Sequence, residues 1–226
     1  MNDFAIHEAE LTGALTDLLM GVVIVPLLII LCLRNTPQNR TKFWSVMFFS
    51  TLCGSCFLGY LAHNVYTEGM PNFIIWSILL PLMYETFAAF FLFALALITN
   101  GAKPTPLYVI LAEAYVACAF VFSLFVSPPY NGTHIKILVI SGGILALTGF
   151  AAILVDSFKK GRIGERIIVA SLVFLLPAAY LQIKRTAFVR FIWCFNYNGL
   201  AHILIMLGII AVFVGTMFSL KKRNVR

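Results

Sequence analysis

The chain has 226 residues, of which 61% are hydrophobic and only 11% are charged. Its mean hydropathy of +0.96 lies far outside the range of an ordinary water-soluble domain, so a soluble fold is excluded. In a soluble protein the net charge of +7 would suggest nucleic acid as a partner. In a membrane protein such a charge mainly sets orientation, and no nucleic-acid partner is expected.

Apolar segments separated by polar breaks predict an all-α fold, a single domain over residues 1–226 that is a bundle of seven transmembrane helices. Each segment is close to the length of about 20 residues that crosses the hydrocarbon core of a bilayer. The predicted spans cover about 13–33, 43–64, 73–99, 106–126, 135–156, 165–183 and 197–220. Pro177 lies inside the sixth span, and Lys184, Arg185 and Arg190 follow it. This pattern predicts a kinked helix extended by an interfacial segment.

The distribution of Lys and Arg predicts the orientation of the bundle. With seven alternating spans, one side receives Arg34, Arg40, Lys42, Lys103, Lys159, Lys160, Arg162, Arg166, Lys221, Lys222, Arg223 and Arg226. The other side receives only Lys136, Lys184, Arg185 and Arg190. Because basic loops stay in the cytosol, the N-terminus is expected outside or in a lumen and the C-terminus in the cytosol.

Polar residues gather near the predicted outer surface. His63 closes the second span, His202 lies about one and a half turns into the seventh, and Asp17 lies about one turn into the first. Asn198 and His202 stand four residues apart, so both project from one helix face. We expect Asp17, His63, Asn198 and His202 to line an outer-leaflet pocket.

Ser55, Gly59 and His63 also follow one another at four-residue spacing on the second span. This stripe indicates either a groove that ends in an imidazole or a plain helix-packing seam. Ser55 and Tyr60 are included as further polar residues of the pocket.

Glu85 is the polar residue whose placement costs the most free energy, since it lies near the middle of the third span. It indicates a proton or cation site, a polar floor for the pocket, or a protonated carboxyl group that bonds across helices. Glu113, in the fourth span, is expected to form an interhelical hydrogen bond.

The predicted topology, His63, the helix 1 stretch Leu15-Thr16-Asp17 and the segment Asn198-Gly199-Leu200-Ala201-His202 together resemble the alkaline ceramidase and adiponectin-receptor superfamily (CREST). Members of that superfamily hold a zinc ion with one histidine on the second helix and a His-x-x-x-His pair on the seventh. A serine and an aspartate assist, and the best-understood members hydrolyse lipid amides. The resemblance implies a zinc-activated water that attacks a carbonyl group.

The sequence departs from the superfamily pattern at two positions and in one segment, since residues 69–84 contain no acidic residue. Asn198 stands where the first histidine of the seventh helix is expected, and Gly59 stands where the serine is expected. By the resemblance, His63 and His202 are the metal ligands, Asp17 is a third ligand or general base, and Asn198 orients the substrate or water.

These patterns favour a zinc-dependent hydrolase that acts on the amide or ester bond of a membrane lipid. One alternative is a receptor or transporter-like protein in which Glu85 and the pocket recognise a small or lipid ligand without chemistry. An auxiliary subunit of a larger assembly is a further alternative.

Overall fold

The structure is a computed structural model that describes residues 3–65, 69–100, 106–126, 132–190 and 194–220. Every predicted apolar segment forms a helix, so the all-α fold is confirmed. The helices are α1 (Asp3–Leu33), α2 (Asn39–Tyr60), α3 (Gly69–Ile98), α4 (Pro106–Val126), α5 (Gly132–Lys160), α6 (Ile163–Ala170), α7 (Leu172–Lys184) and α8 (Tyr197–Ser219). A π-helical turn over Leu61–Val65 extends α2.

Six helical segments are long and apolar enough to cross a membrane, as judged by length and composition. They are Leu11–Leu33, Asn39–Val65, Gly69–Ile98, His134–Lys160, Ile163–Lys184 and Tyr197–Ser219. The described part of α4 contributes a shorter apolar helix, Pro106–Phe122. This composition is typical of a multi-pass membrane protein.

The helix contacts close a ring around an aromatic core. Helix α1 packs against α2 and α8, α2 against α3, α3 against α5, α5 against α6, and α6 against α8. Helix α4 packs against α3 and α5, and α7 packs against α8. Edge-on ring contacts join three of these helices, since Phe48 meets Phe90 with ring centroids 5.4 Å apart and Phe49 meets Phe213 at 6.0 Å.

The connections that the charge pattern assigns to the basic side of the membrane lie together at one end of the bundle. There the Thr36 hydroxyl donates to the carbonyl of Leu220 at 3.1 Å, and the Thr41 hydroxyl donates to that of Ala96 at 3.2 Å. The Lys160 ammonium donates to the carbonyl of Ile98 at 2.9 Å. We call this end, defined by Thr36, Ile98, Lys160 and Leu220, the basic end. The start of α1, the end of α2 and the start of α8 meet at the opposite end, the histidine end.

The sixth predicted span is interrupted, but not at Pro177. The break between α6 and α7 lies at Ser171, whose hydroxyl donates to the carbonyl of Ile168 at 2.6 Å. This local bond competes with the regular backbone ladder of the helix.

After α7 the structure differs from the predicted interfacial helix extension. Arg185 adopts a left-handed conformation with φ of +56°, which ends the helix. A short hairpin follows, with β1 (Phe188–Arg190) antiparallel to β2 (Cys194–Asn196). Aromatic and β-branched residues such as Val189 and Phe195 favour strands over helices.

Close packing of α6 on α8 yields a testable prediction. A Cβ atom at Gly215 would lie 2.5 Å from the carbonyl oxygen of Gly164 and 2.9 Å from the backbone nitrogen of Ile168. Because backbone atoms cannot move aside as a flexible side chain can, Gly215→Ala should lower the free energy of unfolding by about 1–3 kcal/mol. Thermal unfolding in detergent measures the effect.

Gly143→Ala is the matched control, because a Cβ atom there meets nothing within 4 Å. An unchanged melting temperature for Gly215→Ala would show that α6 and α8 do not pack this closely.

Candidate functional site

Asp17 and His202 form the polar centre of the histidine end. Helix α1 supplies Asp17 and α8 supplies His202, and their Oδ1 and Nδ1 atoms are 3.3 Å apart. Both residues are buried, with 6% and 9% of their surface exposed. Ionisable side chains inside apolar segments are stabilised only when they lie close to a partner. The contact between Asp17 and His202 therefore joins α1 to α8.

Three oxygen atoms surround the same nitrogen of His202. Nδ1 lies 3.1 Å from the Thr16 hydroxyl and 3.3 Å from the carbonyl oxygen of Gly13, in addition to Asp17. Thr16 donates its own hydroxyl proton to the Gly13 carbonyl at 2.7 Å, so its oxygen accepts on the side that faces His202.

A carbonyl oxygen accepts only, as does an ionised carboxylate, so the contacts with Gly13 and Thr16 and with an ionised Asp17 favour a proton on Nδ1 of His202. In the neutral ring, Nε2 of His202 is then the basic nitrogen and carries the free electron pair.

Asp17 is held against α2 by the absence of a side chain at Gly59. A Cβ atom at Gly59 would lie 2.9 Å from Oδ2 of Asp17 and 3.2 Å from its Cγ. A serine, which the superfamily resemblance leads one to expect at this position, would collide with the carboxyl group. Any residue larger than glycine at position 59 would therefore require the Asp17 carboxyl group to shift, because α1 and α2 approach closely there.

Asn198 connects three helices rather than extending freely beside His202. Its Oδ1 atom accepts a hydrogen bond from Gln182 of α7 at 2.7 Å. Its Nδ2 atom lies 3.2 Å from the point where a Cβ atom at Gly13 would stand. Asn196 caps the N-terminus of α8, because its side-chain oxygen accepts a hydrogen bond from the backbone N–H of Gly199 at 3.0 Å. These contacts fix the start of α8, on which His202 is carried.

His63 lies in the π-helical turn that extends α2, and its side chain is exposed. Its ring meets Trp76 of α3 edge-on, with the centroids 5.5 Å apart. Asn72 anchors the turn by donating to the carbonyl of Ala62 at 3.0 Å. His63 is near enough to His202 for the two imidazoles to interact electrostatically.

The remaining predicted residues make contacts of their own. The Ser55 hydroxyl donates to the carbonyl of Thr51 within α2, and the Tyr60 hydroxyl accepts from Asn64 at 3.0 Å. The carboxyl groups of Glu85 on α3 and Glu113 on α4 are near enough to interact. Two carboxyl groups share a hydrogen bond only when one of them carries a proton.

The zinc ion that the resemblance implies needs at least three protein ligands. In the described parts of the chain, no three His, Cys, Asp or Glu side chains lie close enough together to hold a metal ion. Asp17 contacts Nδ1 of His202, which is the place of a carboxylate that orients a histidine rather than of a ligand beside it. The described residues as placed therefore do not fit a three-ligand zinc centre.

Sequence reasoning missed two residues that contact His202 and Asn198, namely Gly13 and Gln182. Gly13 takes part through its backbone, which no side-chain pattern reveals. Gln182 carried a signal, since an uncharged amide within an apolar span needs a hydrogen-bonding partner.

The sequence matches one protein family over most of its length. Residues 12–221 match the family described as Family of unknown function (DUF6962). The chain belongs to this family. The match covers all the elements that build the histidine end, from Thr12 on α1 to the end of α8. A comparison with curated proteins gives no match.

Gly59→Ser tests the close approach of Asp17 to α2. We expect the free energy of unfolding to fall by about 1–3 kcal/mol, because the new side chain displaces the carboxyl group from a packed site. Thermal unfolding in detergent measures stability, again beside Gly143→Ala. A Gly59→Ser protein as stable as the wild type would contradict the described contact.

Proposed function

We propose that the chain crosses the membrane seven times, with the basic end in the cytosol and the histidine end outside or in a lumen. Helix α4 spans 21 residues, which is long enough to cross a bilayer. The hydrogen bonds that gather Thr36, Ile98, Lys160 and Leu220 at one end support the alternation of spans. The excess of Lys and Arg at that end supports the orientation.

We further propose that the protein hydrolyses the amide or ester bond of a membrane lipid at His202. The observation that carries this proposal is the arrangement of three hydrogen-bond acceptors around Nδ1 of His202. It leaves Nε2 basic and holds the ring in one orientation, and both properties are required of a general base.

In the proposed reaction, Nε2 of His202 takes a proton from water while the water oxygen bonds to the lipid carbonyl carbon. Asp17 stabilises the resulting imidazolium through Nδ1. The bond from the carbonyl carbon to nitrogen or oxygen then breaks, and His202 returns the proton to the leaving group. One water is consumed, and a fatty acid and an amine or alcohol are released.

Zinc stays a prediction drawn from the superfamily resemblance. His202 through Nε2 and His63 through its exposed ring are the residues that would hold it. Because the described residues do not supply a third ligand, the proposed steps use only the side chains of the chain itself.

A receptor or transporter-like function is the second proposal, and the Glu85–Glu113 contact favours it. Both carboxyl groups belong to apolar helices and interact with each other, and a hydrogen bond between them requires a proton. A carboxyl pair of this kind is suited to binding a proton or a small cationic ligand within the membrane.

Two substitutions test the hydrolase proposal. His202→Gln should lower the rate of fatty-acid release from a ceramide and from a matched ester lipid by about 10²–10⁴-fold, because the general base is lost. Asp17→Asn should also lower it, since the imidazolium loses its charged partner. The rates are measured on purified protein in detergent, with zinc per chain determined in the same samples and in His63→Ala.

His7 precedes the first predicted span, so His7→Gln is the matched control for the loss of one imidazole and should keep the wild-type rate. Equal rates in His202→Gln and the wild type would overturn the hydrolase proposal. If the folded wild type releases no fatty acid but binds a ligand, and Glu85→Gln abolishes that binding, the receptor function is correct instead.

A further inference from the structure

The connection between α1 and α2, at the basic end, carries positive charge without any acidic side chain. Arg34, Arg40 and Lys42 all lie in the segment 34–45, which contains no Asp or Glu. In the described part of the chain, the ion pairs at this end join Asp156 and Glu165 to Lys160 and Arg162, which belong to α5 and the start of α6. The basic side chains of the α1–α2 connection therefore receive no counter-charge from the described protein.

Lys42 is held in a fixed position at the end of α1. Its Nζ atom donates to the carbonyl oxygen of Cys32 at 2.6 Å and to that of Arg34 at 2.9 Å. Carbonyl groups at the end of a helix have no intrahelical partner, so Lys42 satisfies two of them. An ammonium group has three N–H donors, and the side chain of Lys42 is only half-buried. One charged donor at a defined place is therefore left for an anion.

The end of α8 is attached to the same connection. The Thr36 hydroxyl donates to the carbonyl of Leu220 at 3.1 Å, and the Gln38 amide donates to that of Ser219 at 3.4 Å. The basic residues that follow, Lys221, Lys222, Arg223 and Arg226, lie outside the described residues. Because a chain advances by at most about 3.6 Å per residue, the backbone of Lys222 lies no more than about 7 Å from that of Leu220. That distance is within a Debye length, so its charge adds to the positive field at this end.

Exposed apolar side chains flank these basic residues. Leu33 is 79% exposed at the end of α1, and Phe43 is 53% exposed at the start of α2. The ring of Phe43 contacts Trp44 edge-on, with the centroids 5.0 Å apart. Aromatic side chains favour the level of the lipid head groups. Lys42 therefore lies where a lipid phosphate lies, beside apolar side chains that contact acyl chains, and this combination suits a lipid better than a soluble anion.

We propose that the α1–α2 connection binds the head group of an anionic phospholipid. The lipid phosphate accepts the third N–H of Lys42, and the charges of Arg34 and Arg40 attract a head group that is negative overall. The acyl chains lie against Leu33 and Phe43. Phosphatidylcholine binds more weakly, because its head group has no net charge and its ammonium is repelled by the uncompensated positive charge.

The test uses the full-length protein reconstituted in bilayers with equal amounts of phosphatidylglycerol and phosphatidylcholine. Native mass spectrometry then measures the ratio of the two lipids that remain bound. We expect about tenfold enrichment of phosphatidylglycerol on the wild type, because uncompensated cations attract the anionic head group. Arg34→Gln combined with Arg40→Gln should lower this enrichment at least about threefold, since two of the three charges are lost while the bonds of Lys42 remain.

Lys159→Gln combined with Arg166→Gln is the matched control. Both residues are exposed, at the end of α5 and on α6, so this variant also loses two positive charges from the basic end. It should keep the enrichment.

Lys42→Met is a further variant that retains an unbranched apolar stem and removes the ammonium group. It should also lower the enrichment, so the proposal does not depend on the double variant being folded.

A wild-type ratio near one would overturn the proposal, as would unchanged enrichment in both Lys42→Met and the variant of Arg34 and Arg40. Equal losses in the two double variants would also overturn it, because the enrichment would then belong to the total charge of the basic end. Thermal stabilisation by inorganic phosphate in the absence of lipid enrichment would assign the connection to a soluble anion instead. None of these outcomes bears on His202, because hydrolysis is measured at the other end of the bundle.

Discussion

The buried carboxyl group of Asp17 determines how three helices meet at the histidine end. A carboxylate inside an apolar segment costs several kcal/mol of free energy unless partners lie within reach. Asp17 finds its partner in His202 of α8, 3.3 Å away, and it fits against α2 only because Gly59 has no side chain. Thr16 and the Gly13 carbonyl complete the surroundings of the imidazole. The packing of α1 on α2 and α8 and the orientation of the His202 ring therefore have one common cause.

The two ends of the bundle satisfy their buried charges differently. At the histidine end, the short side chains of Thr16 and Asp17 and a backbone carbonyl converge on one nitrogen of His202. At the basic end, the Nη1 atom of Arg162 lies 2.7 Å from a carboxyl oxygen of Glu165 and 3.3 Å from one of Asp156. The first arrangement holds one imidazole in a defined orientation, and the second joins the end of α5 to the start of α6.

Sequence reasoning predicted the helices well, because long apolar segments bounded by polar breaks leave few alternatives in a membrane. It also selected Asp17 and His202, since ionisable residues in apolar spans require partners. It missed what depends on contacts between distant segments. The bond from Gln182 to Asn198 arises from tertiary packing, whereas the break at Ser171 and the hairpin before α8 have local causes that the apolar pattern does not reveal. The collision that a serine at position 59 would cause with Asp17 is invisible until α1 and α2 are placed side by side.

The protonation state of His202 is the most direct measure of the proposed chemistry. Protein labelled with ¹⁵N-histidine, studied in detergent micelles by long-range ¹H–¹⁵N correlation, distinguishes a proton on Nδ1 from a proton on Nε2. The signal that disappears in His202→Gln assigns the resonance. We expect a neutral ring with its proton on Nδ1, because Asp17, Thr16 and Gly13 all accept there. A proton on Nε2 alone would contradict the described network and remove the general base from the proposed reaction.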